Sequence, residues 1–193
     1  MIYDKEYYTS LNYTDYLSRE GKYKQTAQEI SHLLSRFNLL SAKSKILDFG
    51  CATGFLTKAL MNLGCDNISG FDISEWAIGE AKKNNVPITY TYKGDYDLVF
   101  CLDVLEHMTD EDIKDFFLNC KATAYMIRIP CSVDEGKTYA LDVSNQDETH
   151  INCKTKKQWH ALFNSIINYV DLPVNTYTIY DTEGVMCSLI LRK

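Results

Sequence analysis

Two carboxylates and a run of small residues carry the first chemistry. "KILDFGCATGFLTKAL", Lys45 to Leu60, reads as a buried strand, a glycine-marked turn and an amphipathic helix, with Asp48 where the strand ends. A glycine-rich strand-to-helix turn ordinarily cradles phosphate with backbone N–H groups and the positive end of the helix. A carboxylate two residues before the first glycine repels that phosphate. The dinucleotide fingerprint also needs glycine or alanine at its third small position, where helix and strand approach closely, and Phe55 stands there. What remains is D-x-G-x-A-x-G, Asp48 to Gly54, whose small residues Gly50, Ala52 and Gly54 let a ligand lie against the backbone while Asp48 faces an ammonium or sulfonium group. Eighteen residues beyond Gly54, the apolar strand of "SGFDIS" ends in Asp72. Doubly wound folds hold ribose hydroxyls at that place, because two carboxylate oxygens accept two O–H donors. A further aliphatic strand in "YDLVFCLDVLEHM" runs directly into Asp103, Glu106 and His107.

Alternating strands and helices must position these groups. Leu17, Tyr23, Ala27, Ile30, Leu33, Leu34 and Phe37 recur at helical intervals and predict one or two N-terminal helices. Strand Ile46–Phe49, helix Phe55–Leu63 stopped by Gly64, strand Ile68–Ile73, helix Glu75–Asn84 capped by Ser74 and a short strand near Ile88–Tyr92 follow in turn. Strand Asp97–Leu102 then leads to "MTDEDIKDFF", where Thr109 and Asp112 stand at capping-box spacing, and strand Ala124–Ile129 ends at Pro130. The stretch Cys131 to Asn152 shows no period and is longer than an ordinary connection, as functional or mobile loops are. A second capping box, Thr155 with Gln158, opens a helix with Trp159, Leu162, Phe163, Ile166 and Ile167 on one face. Two β-rich runs around Asp181–Gly184 read as a closing hairpin, an antiparallel cap on an otherwise parallel α/β sheet.

Composition sets the outer bounds. With 193 residues, 46% hydrophobic and 24% charged, the chain reads as one ordered domain, residues 1–42 a helical segment and 43–193 the core. A formal net charge of −6 argues against duplex nucleic acid as the main partner. Seven cysteines without any C-x-x-C pair read as free thiols of a reducing cytoplasm. The tyrosine-rich start lacks an apolar signal core and no window approaches a membrane-spanning length, so a soluble cytoplasmic protein, monomer or homodimer, is expected.

At three places the chain resembles the class I S-adenosylmethionine-dependent methyltransferases. "DFGCATG" is similar to their first motif, an acid followed by G-x-G-x-G, with Ala52 in place of the middle glycine. Asp72 matches their second acid, and "DLVFCLDVLEH" resembles a segment common in their small-molecule members. The resemblance implies a Rossmann-like doubly wound sheet of seven strands, the last antiparallel, flanked by helices. It also implies S-adenosyl-L-methionine across the carboxyl ends of the first strands, released as S-adenosyl-L-homocysteine. Gly50, Cys51, Ala52 and Gly54 would run beside the methionine portion, Asp48 would reach its amino group and Asp72 the ribose, with Leu102 at the same edge. Ile73 and Tyr92 are candidates for packing the adenine ring, since only Lys93, Gly94 and Asp95 separate "ITYTY" from "YDLVF" and the usual adenine-contacting residue has no place. Arg19, Tyr7 and Tyr8 could fold over the cofactor's carboxylate.

Methyl transfer from a sulfonium is an in-line displacement, which the enzyme serves by aligning the reactants and excluding water. It demands no metal, and "EHM" and "DETH" lack partners at helical ligand intervals. Where the acceptor must lose a proton, histidine suits the task. His107 ends the fourth-strand motif and His150 lies in the polar loop, so either could face the acceptor; His107 reads equally well as a packing residue at a helix start. His32 and His160 sit on helix patterns as surface or packing residues. Glu106 reads as a cap of the turn, and Asp134, Glu135, Asp142 and Asp147 as a solvated acidic loop or an attractor of cationic acceptors. The expected protein is a methyltransferase for a small-molecule or glycan acceptor, lidded by its N-terminal helices and the 131–153 loop. A catalytically silent cofactor-binding relative and a nicotinamide-dependent oxidoreductase are the rivals.

Overall fold

The computed structural model describes residues 3–10 and 13–193; residues 1, 2, 11 and 12 of the tyrosine-rich start lie outside the described residues. β1 (Ile46–Phe49) pairs in parallel with β2 (Ile68–Phe71) on one side and β3 (Gly94–Leu102) on the other, and β4 (Cys120–Pro130) continues the parallel set beyond β3. β6 (Val185–Arg192) joins β4 antiparallel, and β5 (Tyr169–Pro173) closes the far edge against β6. The order is β2-β1-β3-β4-β6-β5. This mostly parallel sheet with a reversed C-terminal strand, flanked by helices, is the Rossmann-like arrangement that the resemblance implied.

Residue parity along each strand decides which helix it meets, because successive side chains point to opposite faces. Ile46, Leu98, Phe100 and Met126 pack on one face against Ile30 and Leu34 of α1 (Glu20–Arg36) and Leu56 and Leu60 of α2 (Phe55–Asn62). Their neighbours Leu47, Val99, Tyr125 and Ile127 pack on the other face against Phe116 and Phe117 of α4 (Asp110–Asn119) and Trp159 and Phe163 of α6 (Lys156–Asn164). Each such side chain contributes about 1.5–3 kcal/mol by leaving water. Between them α3 (Glu75–Lys83) starts where the Ser74 hydroxyl accepts the Ala77 N–H, and α4 and α6 start in the two expected capping boxes.

Three sequence expectations are corrected. Among the described residues the sheet has six strands, not seven: of Ile88–Tyr92 only a single bridge from Ile88 to Gly70 forms, held by Gly70 N–H to the Pro87 carbonyl (2.8 Å) and Thr89 N–H to the Gly70 carbonyl (2.9 Å). β2 is four residues long and offers no further edge, so Tyr90 turns out to solvent. The closing hairpin uses β5 as its first arm rather than residues 175–180. Those residues fold into a turn, Thr176 N–H to the Ile179 carbonyl at 2.8 Å, that docks on α1 through Thr178 and Glu29 (2.7 Å). The 131–153 loop contains α5 (Asp142–Asn145) and a bridge between Ser132 and Tyr139. Among the described residues no helix is long and apolar enough to cross a membrane.

Candidate active site

The turn after β1 is built so that its backbone N–H groups face inward. Gly50 and Cys51 donate to the Phe71 carbonyl (2.8 and 3.0 Å), Ala52 donates to Asp72 Oδ2 (2.8 Å) and Gly54 to the Cys51 carbonyl (2.8 Å). All four are therefore taken, and a pyrophosphate finds no cradle among them. Gly50 has φ +77°, and a Cβ there would stand 2.4 Å from Val104 Cγ2. Ala52, in place of the family's middle glycine, adopts φ 47°. That left-handed conformation costs about 1–2 kcal/mol for a residue with a Cβ, offset by the bond to Asp72.

Two carboxylates flank the turn. Asp48, at the end of β1, is buried and accepts the Thr57 hydroxyl of α2 at 2.6 Å. Burial pushes its pKa up to about 6 against the pull of Thr57, with the Asp72 charge adding to the rise. Asp72, half-buried, takes the Ser74 N–H on Oδ1 (2.8 Å) and Ala52 on Oδ2; burial raises its pKa too. Both line a cleft of about 610 Å³ at the carboxyl ends of the strands. Gly50, Cys51, Ala52, Ile73, Leu102, Tyr92, His107, His150 and Arg19 line the same cleft. Gly54, which caps α2 at φ +79°, packs under it against Val86.

Aromatic residues of the N-terminal segment close the cleft from above. Tyr8 stacks on Trp76 at 5.2 Å, Tyr16 leans on Phe55 at 5.8 Å, and Tyr3 meets His107 edge-on at 5.8 Å. The hydroxyls of Tyr7 and Tyr13 lie 3.0 and 3.2 Å from Asp147 Oδ2, which ties this segment to the 131–153 loop. Arg19 binds Asp15 through Nε at 2.9 Å, so it faces the cleft as half of an ion pair. Ile73 is exposed beside Asp72, whereas the Tyr92 ring packs edge-on to Phe49 and Phe71 and its hydroxyl bonds Asp115 at 2.5 Å.

The two candidate histidines meet on the opposite wall, their rings 4.6 Å apart. His107 belongs to a 3-10 turn, Leu105–His107, that follows β3; burial and then His150 lower its pKa to about 4. Beside them Glu106 is fully buried with neither carboxylate oxygen hydrogen-bonded. Burial and the Asp103 charge push its pKa well up. Asp103, at φ 58°, is paired with Arg128 from the end of β4. The acidic loop is not a free negative cluster: Asp134 is held well below the usual carboxylate range by the Ser132 hydroxyl and by Thr138, and Asp147 by contrast is taken by the tyrosines and Thr149. The convergence of Glu106 and His150 and the latch on Asp147 span 44 and 140 residues, and no local pattern announces them.

Comparison with known proteins follows the same lines. Residues 22–166 match the family described as a methyltransferase domain. The ubiquinone biosynthesis O-methyltransferase of Methylococcus capsulatus is 34% identical over 83 residues, 36% of this chain and 35% of that protein. Its namesake from Rickettsia canadensis is 35% identical over 102 residues, 47% and 42% of the two chains. The chain thus spans about a third to two fifths of the length of these curated relatives. Among solved structures, magnesium protoporphyrin IX methyltransferase from Synechocystis PCC 6803 with bound SAM aligns at TM-score 0.58 with 20% identity, over 89% of this chain and 80% of that one. An S-adenosylmethionine-dependent methyltransferase from Clostridium acetobutylicum aligns at TM-score 0.65 with 14% identity, over 88% and 92%. These likenesses are of fold.

Proposed function

Because the chain belongs to the methyltransferase-domain family, we propose that it moves the methyl group of S-adenosylmethionine by in-line displacement to an oxygen of a small molecule, a sugar hydroxyl of a glycan included. The observation that carries this reading is a strand-to-helix turn in which the Gly50, Cys51, Ala52 and Gly54 N–H groups are internally bonded and whose two flanks are carboxylates. Such a turn favours a cationic ligand over a phosphate. Asp48 takes the ammonium of the methionine portion and Asp72, with lone pairs left after its two backbone bonds, takes the ribose hydroxyls. Gly50, Cys51 and Ala52 give the ligand room along the backbone, Leu102 and Ile73 supply apolar walls, and Arg19 lies within the same cleft for the carboxylate. The O-methyltransferase names of the curated relatives support oxygen as the acceptor atom.

Catalysis then requires alignment and exclusion of water, which the tyrosine segment and the 131–153 loop serve as a lid. His107 is neutral at physiological pH and faces the cleft with His150; either accepts the proton that an acceptor hydroxyl loses. The test is isothermal titration of the purified chain with S-adenosylhomocysteine, followed by transfer of labelled methyl to a panel of phenols, alcohols and sugars. Binding with transfer is the expected result. Binding without transfer across the panel marks a silent cofactor-binding relative, and tight binding of NADH in a fluorescence titration overturns the reading.

A further inference from the structure

Glu106, His107 and His150 converge on the cleft wall. The tautomers follow from the partners. The Thr149 hydroxyl gives its one proton to Asp147 Oδ1 at 2.5 Å, so the ring nitrogen is the donor in its 2.9 Å contact with His107 Nδ1. The Thr149 carbonyl, 3.2 Å from the same nitrogen, agrees. His150 Nδ1 lies 2.9 Å from the Ser144 carbonyl, which can only accept. Both rings therefore carry a proton on Nδ1, which leaves Nε2 as the nitrogen that a ligand can meet. His150 Nε2 is 3.6 Å from Asp147 Oδ2 and 4.0 Å from Glu106 Oε1, and neither oxygen of the fully buried Glu106 is hydrogen-bonded. One ligand atom from each of Glu106, His107 and His150 lies within 4.8 Å of the others.

We propose that Glu106, His107 and His150 form a divalent-cation site whose open coordination positions face the acceptor side of the cleft. Two neutral imidazoles and one carboxylate suit manganese, iron(II), cobalt or zinc better than the hard, all-oxygen cations. The Nδ1–H bonds to main-chain and threonine oxygens are the outer-shell contacts that fix ligating histidines. Ligand bonds of about 2.0–2.2 Å place two ligands at most about 4.4 Å apart. Three ligands that leave positions open stand about 3–3.6 Å apart, so the set closes in by up to about 1 Å on binding. Asp103 stays outside it, bound to Arg128. Sequence spacing predicted no metal site because two ligands are adjacent on a 3-10 turn and the third arrives from a loop.

The use of the site rests on the methyl-transfer reading; its existence does not. With the cation bound, His107 and His150 are its ligands rather than bases, and a hydroxyl oxygen bound to it loses its proton to water more readily. Its lone pair then forms the bond to the methyl carbon as the carbon–sulfur pair leaves with sulfur, giving a neutral thioether. The substrate class is accordingly a hydroxyl acceptor.

The experiment titrates the chelator-treated full chain with Mn(II), read by loss of the free-ion electron paramagnetic resonance signal, with S-adenosylhomocysteine titrated in parallel. The expected result is one Mn(II) per chain at micromolar concentration, displaced by Zn(II), and weakened about tenfold or more in Glu106→Gln and His150→Gln. Retained S-adenosylhomocysteine binding shows that the variants fold. Wild-type chain that binds S-adenosylhomocysteine but none of Mn(II), Co(II) or Zn(II) overturns the site and leaves the cofactor reading standing. Equal Mn(II) binding by wild type and both folded variants overturns it as well. Mn(II) binding lost in variants that circular dichroism shows to be folded, with no S-adenosylhomocysteine binding by any chain, supports the site and sinks the cofactor reading.

Discussion

With the ligand ammonium on Asp48, as proposed, cofactor affinity should be a function of pH. Its carboxyl sits at about 6 in the folded chain, raised by burial from the usual 3.8. About a tenth of the molecules carry it ionised at pH 5 and about nine tenths at pH 7. A ligand ammonium, constant in charge over that range, meets its counter-charge in proportion. S-adenosylhomocysteine should therefore bind about tenfold more tightly at pH 7 than at pH 5 and release about one proton on binding at the lower pH. Asp72, shifted in the same direction, steepens the profile. Titration calorimetry in buffers of different ionisation enthalpy measures both quantities. Asp48→Asn keeps the Thr57 hydrogen bond and should flatten most of the profile. The same shift acts on folding: between the unfolded value and about 6 the native state holds more protons, so stability of the unliganded chain falls as pH rises, by up to about 3 kcal/mol. A wild-type profile without slope, or one that Asp48→Asn leaves intact, refutes the placement of the ammonium against this carboxyl.

Gly50→Ala should destabilise the chain by about 2–5 kcal/mol, a left-handed backbone term and a clash with Val104 together. The added Val104→Ala should recover the clash alone in chemical denaturation. Asp72→Ala should weaken S-adenosylhomocysteine at least tenfold, in line with about 1.5–3 kcal/mol for charged hydrogen bonds, as read by calorimetry. Tyr7→Phe with Tyr13→Phe unlatches Asp147 and should speed proteolytic cleavage near the chain start and raise KM, with little change in melting of the core.

How much of this was legible in the sequence depended on the range of the interactions. The capping boxes at Thr109 and Thr155, the Ser74 cap and the Asp48–Gly54 turn are set within a few residues, and the structure keeps each one. "ITYTY" has strand propensity, yet propensity needs a neighbour, and beyond Ile88 there is no partner edge for Tyr90. "TYTIY" alternates like a strand, but Glu29 on a distant helix captures Thr178 and bends it into a turn. Glu106 read as a cap because its burial, and the arrival of His150 beside it, are products of the tertiary fold.

The shortened third unit also bears on how the chain behaves in company. An open β2 would present a row of unpaired amides and carbonyls to the next molecule, the usual template for strand-to-strand aggregation. Pro87, Ile88 and Thr89 occupy the middle of that row at Gly70. At the opposite border β5 is five residues long, carries Asp171 and ends at Pro173, which has no N–H to offer. Both borders of the sheet are thus blunted against sheet extension.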